Sequence, residues 1–209
     1  MPRGDSLVVG FDLDMTLIDP RVGIACAMAR LESEIGAGID VQWVIDNLGP
    51  RLETVLARWV PAEDIESAAD RYREVFGAVG ITTTTAMPGA VDAVEAVRAV
   101  GGTTIVITAK YEPHAWASLR VIDVLPDAVF GWRFGAAKGD ALLAHGADLY
   151  VGDHPGDVLA ARAGDALAVT VATGPASADQ LVGAGADVVL HTLEDFPAWL
   201  DEYLGGASG

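Results

Sequence analysis

Phe11-Asp12-Leu13-Asp14-Met15-Thr16-Leu17 follows directly on the apolar run 7–11, and its reading decides the fold. Residues two apart in an extended chain point the same way, so Asp12 and Asp14 approach one locus where the strand ends. In open sheets of parallel strands, ligands sit beyond the carboxyl ends of the strands. Two aspartates there repel each other unless a cation lies close by or one of them is protonated. Either outcome is useful chemistry, because hard divalent cations take carboxylate oxygens and a protonated carboxyl donates a proton. The plainer alternative is a turn in which the aspartates bond the backbone.

Outward from this stretch, β-rich runs recur at 103–108, 128–132, 149–152, 167–171 and 188–190. Helical patterns lie between them at 90–100, 113–122, 138–144, 155–163 and 177–182, with a final amphipathic helix over 194–204. Such alternation predicts an α/β fold, a Rossmann-like parallel sheet flanked by helices on both faces. The near-continuous apolar character of 7–11 and 104–107 suits strands covered on both sides.

The region 19–86 breaks this rhythm. It shows no convincing strand, and its apolar residues fall at helical spacing, as in Leu52, Val55, Leu56 and Trp59, then Ile65, Ala68, Ala69, Tyr72, Val75 and Phe76. A third helix is expected over 22–34. The reading is an all-helical insertion, 19–86, after the first strand of a core formed by 1–18 and 87–209. The threonine run 82–85 is read as an extended hinge on the return, and the terminal run 205–209 as frayed.

Composition bounds the partners. The 209 residues carry a formal net charge of −17, which repels nucleic-acid phosphates and anionic lipid, so neither is an expected partner. No apolar run approaches the roughly 18 residues that span a bilayer, and 1–11 lacks a leader pattern, so a cytoplasmic location is expected. The single cysteine, Cys26, forms no internal disulfide and is read as a small buried hydrophobe. Nothing distinguishes a monomer from a homodimer.

Three further segments carry chemistry. Gly152-Asp153-His154-Pro155-Gly156-Asp157 again places carboxylates at the end of a strand, where a helix begins. Asp153 is a natural oxygen ligand for the same cation, and Asp157, a turn later, can orient a neighbour; the alternative for both is a helix cap and a solvated acid. Thr108 ends a strand and is followed by Ala109 and Lys110, so a hydroxyl and backbone N–H groups stand where a phosphate oxygen binds. Lys138 opens a helix, a position the helix dipole disfavours for a cation, which gives an anionic partner as one reason for its presence and ordinary solvation as the other.

In this order the four motifs, DxDxT, strand-ending Thr, Lys and GDxxxD, resemble those of haloacid dehalogenase-like hydrolases. The likeness runs from Leu7 to about Leu190. The place of the helical insertion, Leu48-Gly-Pro-Arg-Leu within it and Met87-Pro-Gly-Ala-Val at its return are similar to the phosphoglycolate phosphatase-like branch. The resemblance implies a phosphohydrolase of small phosphorylated metabolites in which Asp12 attacks phosphorus and Asp14 acts as general acid and base. It implies Mg²⁺ held by Asp12, the Asp14 backbone carbonyl and Asp153. It also implies phosphoryl binding by Thr108, Ala109 and Lys138, orientation by Asp157, and a substrate contact from Arg51 in the cap. Arg58, Trp43, Trp59 and Tyr72 are further candidates to face the substrate, although Trp59 and Tyr72 fit the apolar stripes, and His114 reads equally as a residue at the site's edge or as a surface histidine at a helix N-terminus.

Two departures stand out. Met15 occupies the position where the family usually has Gly, and a positive φ there would strain it and let its side chain narrow the site. Lys138 is followed by Gly139 where many relatives have Pro. Asp14 argues against a dehalogenase, which characteristically lacks that acid. A phosphomutase, or a non-catalytic phosphate-binding module on the same scaffold, remains the alternative.

Overall fold

Period-two alternation along the central strands decides how the layers stack. The computed structural model describes residues 6–206. Its main sheet contains β1 (Val8–Phe11), β4 (Thr103–Ile107), β5 (Ala128–Phe130), β6 (Leu149–Gly152), β7 (Leu167–Val171) and β8 (Val188–Leu190). They run parallel in the order β5-β4-β1-β6-β7-β8. Val9, Phe11, Val106, Val151 and Val169 face one apolar cluster, and Ile105, Ile107, Tyr150 and Ala168 face the other. The first cluster is closed by α5 (Ala90–Ala99), α6 (Glu112–Val121) and α10 (Phe196–Gly205), and the second by α7 (Gly139–Ala144) and α8 (Pro155–Ala163). A short α9 (Ala178–Gly183) precedes β8. The chain steps from β1 outward to β4 and β5, then returns to β6 on the other side of β1. The crevice above β1 is thus the switch point of the sheet.

Between β1 and β4 the chain folds into α1 (Arg21–Ile35), α2 (Val41–Asp46), α3 (Leu52–Leu56) and α4 (Ile65–Val75), which runs on into a π-helical turn, Phe76–Gly80. These helices bury a cluster of their own that includes Met28, Leu31, Val44, Leu56 and Phe76. α1 crosses the π turn closely: a Cβ at Gly23 would lie 2.5 Å from the Gly80 carbonyl oxygen, so only glycine allows that approach.

Several expectations need correction. The insertion is joined to the core by an antiparallel pair, β2 (Ile18–Asp19) and β3 (Thr85–Ala86), where the sequence showed no strand. Two residues are too short for an alternating pattern to be read. The threonine run is only partly extended, since Ile81–Thr83 forms a 3₁₀ turn and Thr84 is buried. The helix α2 escaped the periodicity because it buries only Val44. Cys26 is exposed rather than buried, because α1 turns Ile24, Ala27, Met28 and Leu31 inward and Cys26 projects to the opposite side. The residues 207–209 of the terminal run read as frayed, like residues 1–5 of the stretch searched for a leader, lie outside those described; Gly205 ends α10.

Candidate active site

Asp12 leaves β1 with its backbone N–H still donating to Val151 O at 2.8 Å, so its side chain is set by the sheet itself. The chain then turns sharply: Leu17 N and Ile18 N both donate to Leu13 O, at 2.8 and 3.0 Å. Met15 sits in this turn at φ 65°, the left-handed region, with its side chain 4% exposed in the main core. Its carbonyl accepts from Thr173 Oγ1 at 2.7 Å. The side chain is not among those lining the cavity above the site, so it packs beneath the turn instead of narrowing the crevice.

The three acids of the crevice lie behind one another. Carboxylate oxygens of Asp12, Asp153 and Asp157 all fall within 4.8 Å of one another, and each residue is buried. Lys138, 2% exposed, reaches between them, with Nζ 2.9 Å from Asp12 Oδ1 and 2.7 Å from Asp157 Oδ1. Asp157 is fully engaged, because its Oδ2 accepts from His154 N at 3.0 Å. Asp153 Oδ1 accepts from Thr16 Oγ1 at 2.7 Å. A Cβ at Gly174 would fall 1.8 Å from Asp153 Oδ2, so the loop after β7 presses on that carboxylate and tolerates only glycine.

Burial pushes the Asp12 carboxyl up to about 7, against the Lys138 charge that draws it down and with the Asp157 charge that raises it further. Burial, then Asp12 and Asp157, lifts Asp153 well above the usual carboxylate range. For Lys138, burial works toward a lower value, yet Asp12 and Asp157 hold the ammonium well above its ordinary one. When all three carboxylates are ionised, the one ammonium leaves two negative charges in a buried site, which is why burial favours the protonated forms of Asp12 and Asp153. A divalent cation beside Asp12 and Asp153 matches that deficit in both charge and donor type. Asp157 is close enough to join them, but Lys138 and the backbone already hold both of its oxygens.

Toward the helical insertion, the crevice opens into a cavity of about 100 Å³ lined by Asp12, Asp14, Thr108, Ala109 and Lys110 on the core side. Thr108 is buried, and its Oγ1 accepts from Lys110 N at 3.2 Å. Asp14 Oδ2 is held by Lys110 Nζ at 3.0 Å, while its Oδ1 is buried without a hydrogen-bond partner. From the insertion come Tyr72 and Arg73 of α4 and Glu53 of α3. His114 of α6 also lines the cavity, with burial, Lys110 and Arg73 together pushing its imidazole down to about 4.

The structure therefore brings Asp12, Asp14, Thr108, Ala109, Lys138, Asp153 and Asp157 to one crevice. Arg51 is not brought there: it is exposed, lies outside the cavity lining, and has its Nε 3.7 Å from Glu53 Oε2. Trp43 and Trp59 pack edge to face at 5.4 Å with Arg58 over Trp43, and none of the three lines the cavity. Sequence reasoning missed Lys110, Thr16, Glu53 and Arg73. Two of these left a signal: Lys110, two residues past the strand-ending Thr108, and Thr16, the threonine that closes DxDxT.

A family model described as haloacid dehalogenase-like hydrolase matches residues 9–162. A search of curated proteins finds no match. Among solved structures, a haloacid dehalogenase-like hydrolase from Streptococcus pneumoniae is 23% identical, covering 93% of this chain and 98% of its own, with a TM-score of 0.81. A protein from Clostridium acetobutylicum described as a predicted phosphatase is 21% identical, covering 94% and 99%, with a TM-score of 0.80. One from Haemophilus somnus described as a predicted phosphoglycolate phosphatase is 16% identical, covering 95% and 99%, with a TM-score of 0.79. These structures share the fold, and the family model spans all of the crevice residues named above. The chain belongs to the haloacid dehalogenase-like hydrolase family.

Proposed function

We propose that this hydrolase cleaves small phosphomonoesters through an aspartyl-phosphate on Asp12, with Mg²⁺ as its cofactor. In this reading 19–86 acts as a cap over a core of 1–18 and 87–209. The observation that carries it is the buried Asp12 carboxylate, bonded to Lys138 and beside Asp153, at the mouth of a cavity where Asp14 keeps one oxygen unpartnered. Small phosphorylated metabolites are the substrate class that the phosphatase descriptions of the similar structures support, with phosphoglycolate as the reference ester.

In the first step an Asp12 oxygen bonds to phosphorus, the ester P–O bond breaks, and Asp14 gives its proton to the departing oxygen. In the second, Asp14 takes a proton from water, the water oxygen bonds to phosphorus, and the bond to Asp12 breaks to release phosphate. Thr108, the Ala109 N–H and Lys138 hold the transferring group, and Asp157 keeps Lys138 aimed at it. Asp12, the Asp14 carbonyl and Asp153 would hold Mg²⁺, which when bound supplies the positive charge that phosphoryl transfer needs in so acidic a crevice.

Phosphate release from p-nitrophenyl phosphate, measured with Mg²⁺ and with EDTA, tests the proposal. Release is expected to require Mg²⁺ and to vanish in Asp12→Asn. Asp14→Asn is expected to lose roughly 10²–10⁴-fold in kcat with little change in phosphate affinity. Equal turnover in EDTA overturns the metal assignment, and full turnover by Asp12→Asn overturns the nucleophile.

A further inference from the structure

Among the described residues, no cation lining the cavity above Asp12 is without an acidic partner. Five charged residues face it: Asp12, Asp14, Glu53, Arg73 and Lys110. Lys110 is committed to Asp14 at 3.0 Å and lies 4.6 Å over the Phe76 ring. Arg73, with its side chain only 16% exposed, bonds Asp70 at 2.7 Å and Glu53 through its other nitrogen, and its guanidinium rests 5.4 Å over Trp132. His114, held down by burial, is neutral near pH 7 and adds no charge. Lys138 lies behind Asp12, between that carboxylate and Asp157. Arg51 stands outside.

The rest of the wall on the insertion side is largely apolar, with Ile24, Met28, Val44, Val55 and Phe76, and the Tyr72 hydroxyl is its side-chain polar group. A carboxylate entering here meets three acids and two cations already paired with acids. To gain a charged partner it must displace Glu53 from Arg73, leaving Glu53 only its looser contact with Arg51 at 3.7 Å, or Asp14 from Lys110, leaving Asp14 part-buried and unpaired, and either outcome is costly. An uncharged group meets no such penalty and covers the apolar wall. The volume of about 100 Å³ places these groups around the first few heavy atoms beyond the ester oxygen.

We infer that the substrate's leaving group is uncharged and largely apolar, and that the Glu53–Arg73 pair makes the cavity select against a leaving group bearing a carboxylate. This rests on the phosphatase reading and narrows it away from phosphoglycolate itself.

Isobutyl phosphate and phosphoglycolate match heavy atom for heavy atom beyond the ester oxygen and differ in the carboxylate alone. With Mg²⁺, kcat/KM for isobutyl phosphate is expected to exceed that for phosphoglycolate by at least about tenfold. In Glu53→Gln, which removes the acidic partner of Arg73 inside the cavity and leaves it Asp70, the ratio is expected to move at least about fivefold toward phosphoglycolate. The ratio is taken on one protein preparation, so a loss of folded enzyme does not change it. Equal or faster turnover of phosphoglycolate by the native enzyme, or an unmoved ratio in the variant, overturns the inference. If neither ester is hydrolysed, p-nitrophenyl phosphate decides the phosphatase reading, and calorimetric titration of the native protein decides the selectivity separately. Tighter binding of 3-methylbutylphosphonate than of 3-phosphonopropionate upholds it, and the reverse or equality overturns it.

Discussion

Met15 shows how a single side chain trades backbone strain against packing. A left-handed φ costs a non-glycine residue about 1–2 kcal/mol, which glycine at this position would relieve. Removing a buried Met side chain, however, costs about 2–5 kcal/mol, and glycine adds unfolded-state entropy. Met15 is 4% exposed, so the packing effect wins. Met15→Gly is therefore expected to lower stability by about 1–3 kcal/mol in urea denaturation, despite restoring the residue usual in the family. A gain in stability would show that strain dominates this turn. At the same scale, the aspartates at 12, 14, 153 and 157 were legible because carboxylates after apolar strands are conspicuous. Glu53 and Arg73 were not, because a surface-type charge looks the same in sequence whether it meets solvent or a partner from another element.

The element that joins core to insertion on the cavity's far side is α6. Its His114 stacks on Phe76 with ring centroids 5.4 Å apart, and a Cβ on Gly77 of the π turn would lie 3.1 Å from its Nε2. The imidazole is pushed from its ordinary 6.5 down to about 4, first by burial and then by Lys110 and Arg73. Between those values the unfolded chain binds a proton that the folded one refuses, so His114 supports folding above pH 6.5 and opposes it increasingly as pH falls toward 4. Asp12 and Asp153, shifted upward, have the opposite sign, so the comparison must be between proteins that differ at His114 alone. His114→Gln is expected to lose less stability than the native chain on going from pH 7 to pH 4.5, as read by denaturant midpoints. Parallel curves would mean that the imidazole titrates freely. The existence of α6 was plain from the sequence, with its start read one residue late. That it would seal the cavity against a π turn followed from nothing in its own pattern.

For the whole molecule, the buried acid cluster makes the metal-free fold weaker than its packing alone would give. A cation that binds only the folded state stabilises by mass action, about 2.7 kcal/mol at a hundredfold excess over Kd. For a chain of this size that corresponds to about 5–10 °C in Tm. Thermal scans are expected to show such a rise with Mg²⁺ over EDTA at pH 8, and a smaller one at pH 5.5, where Asp12 holds a proton that the cation must displace. Asp153→Asn is expected to abolish the rise; a full shift in that variant would place the ion elsewhere. By itself the sequence determined the parallel sheet, the helical insertion and the acids at the strand ends. These follow from apolar periodicity and from the strand-to-turn junctions, which are local. Only the tertiary structure decided that Lys138 lies between Asp12 and Asp157, that Arg51 stays outside, and that Glu53 and Arg73 close the cavity as a pair. Those contacts join residues far apart in the chain, and no local pattern encodes which charged side chain will be buried against which.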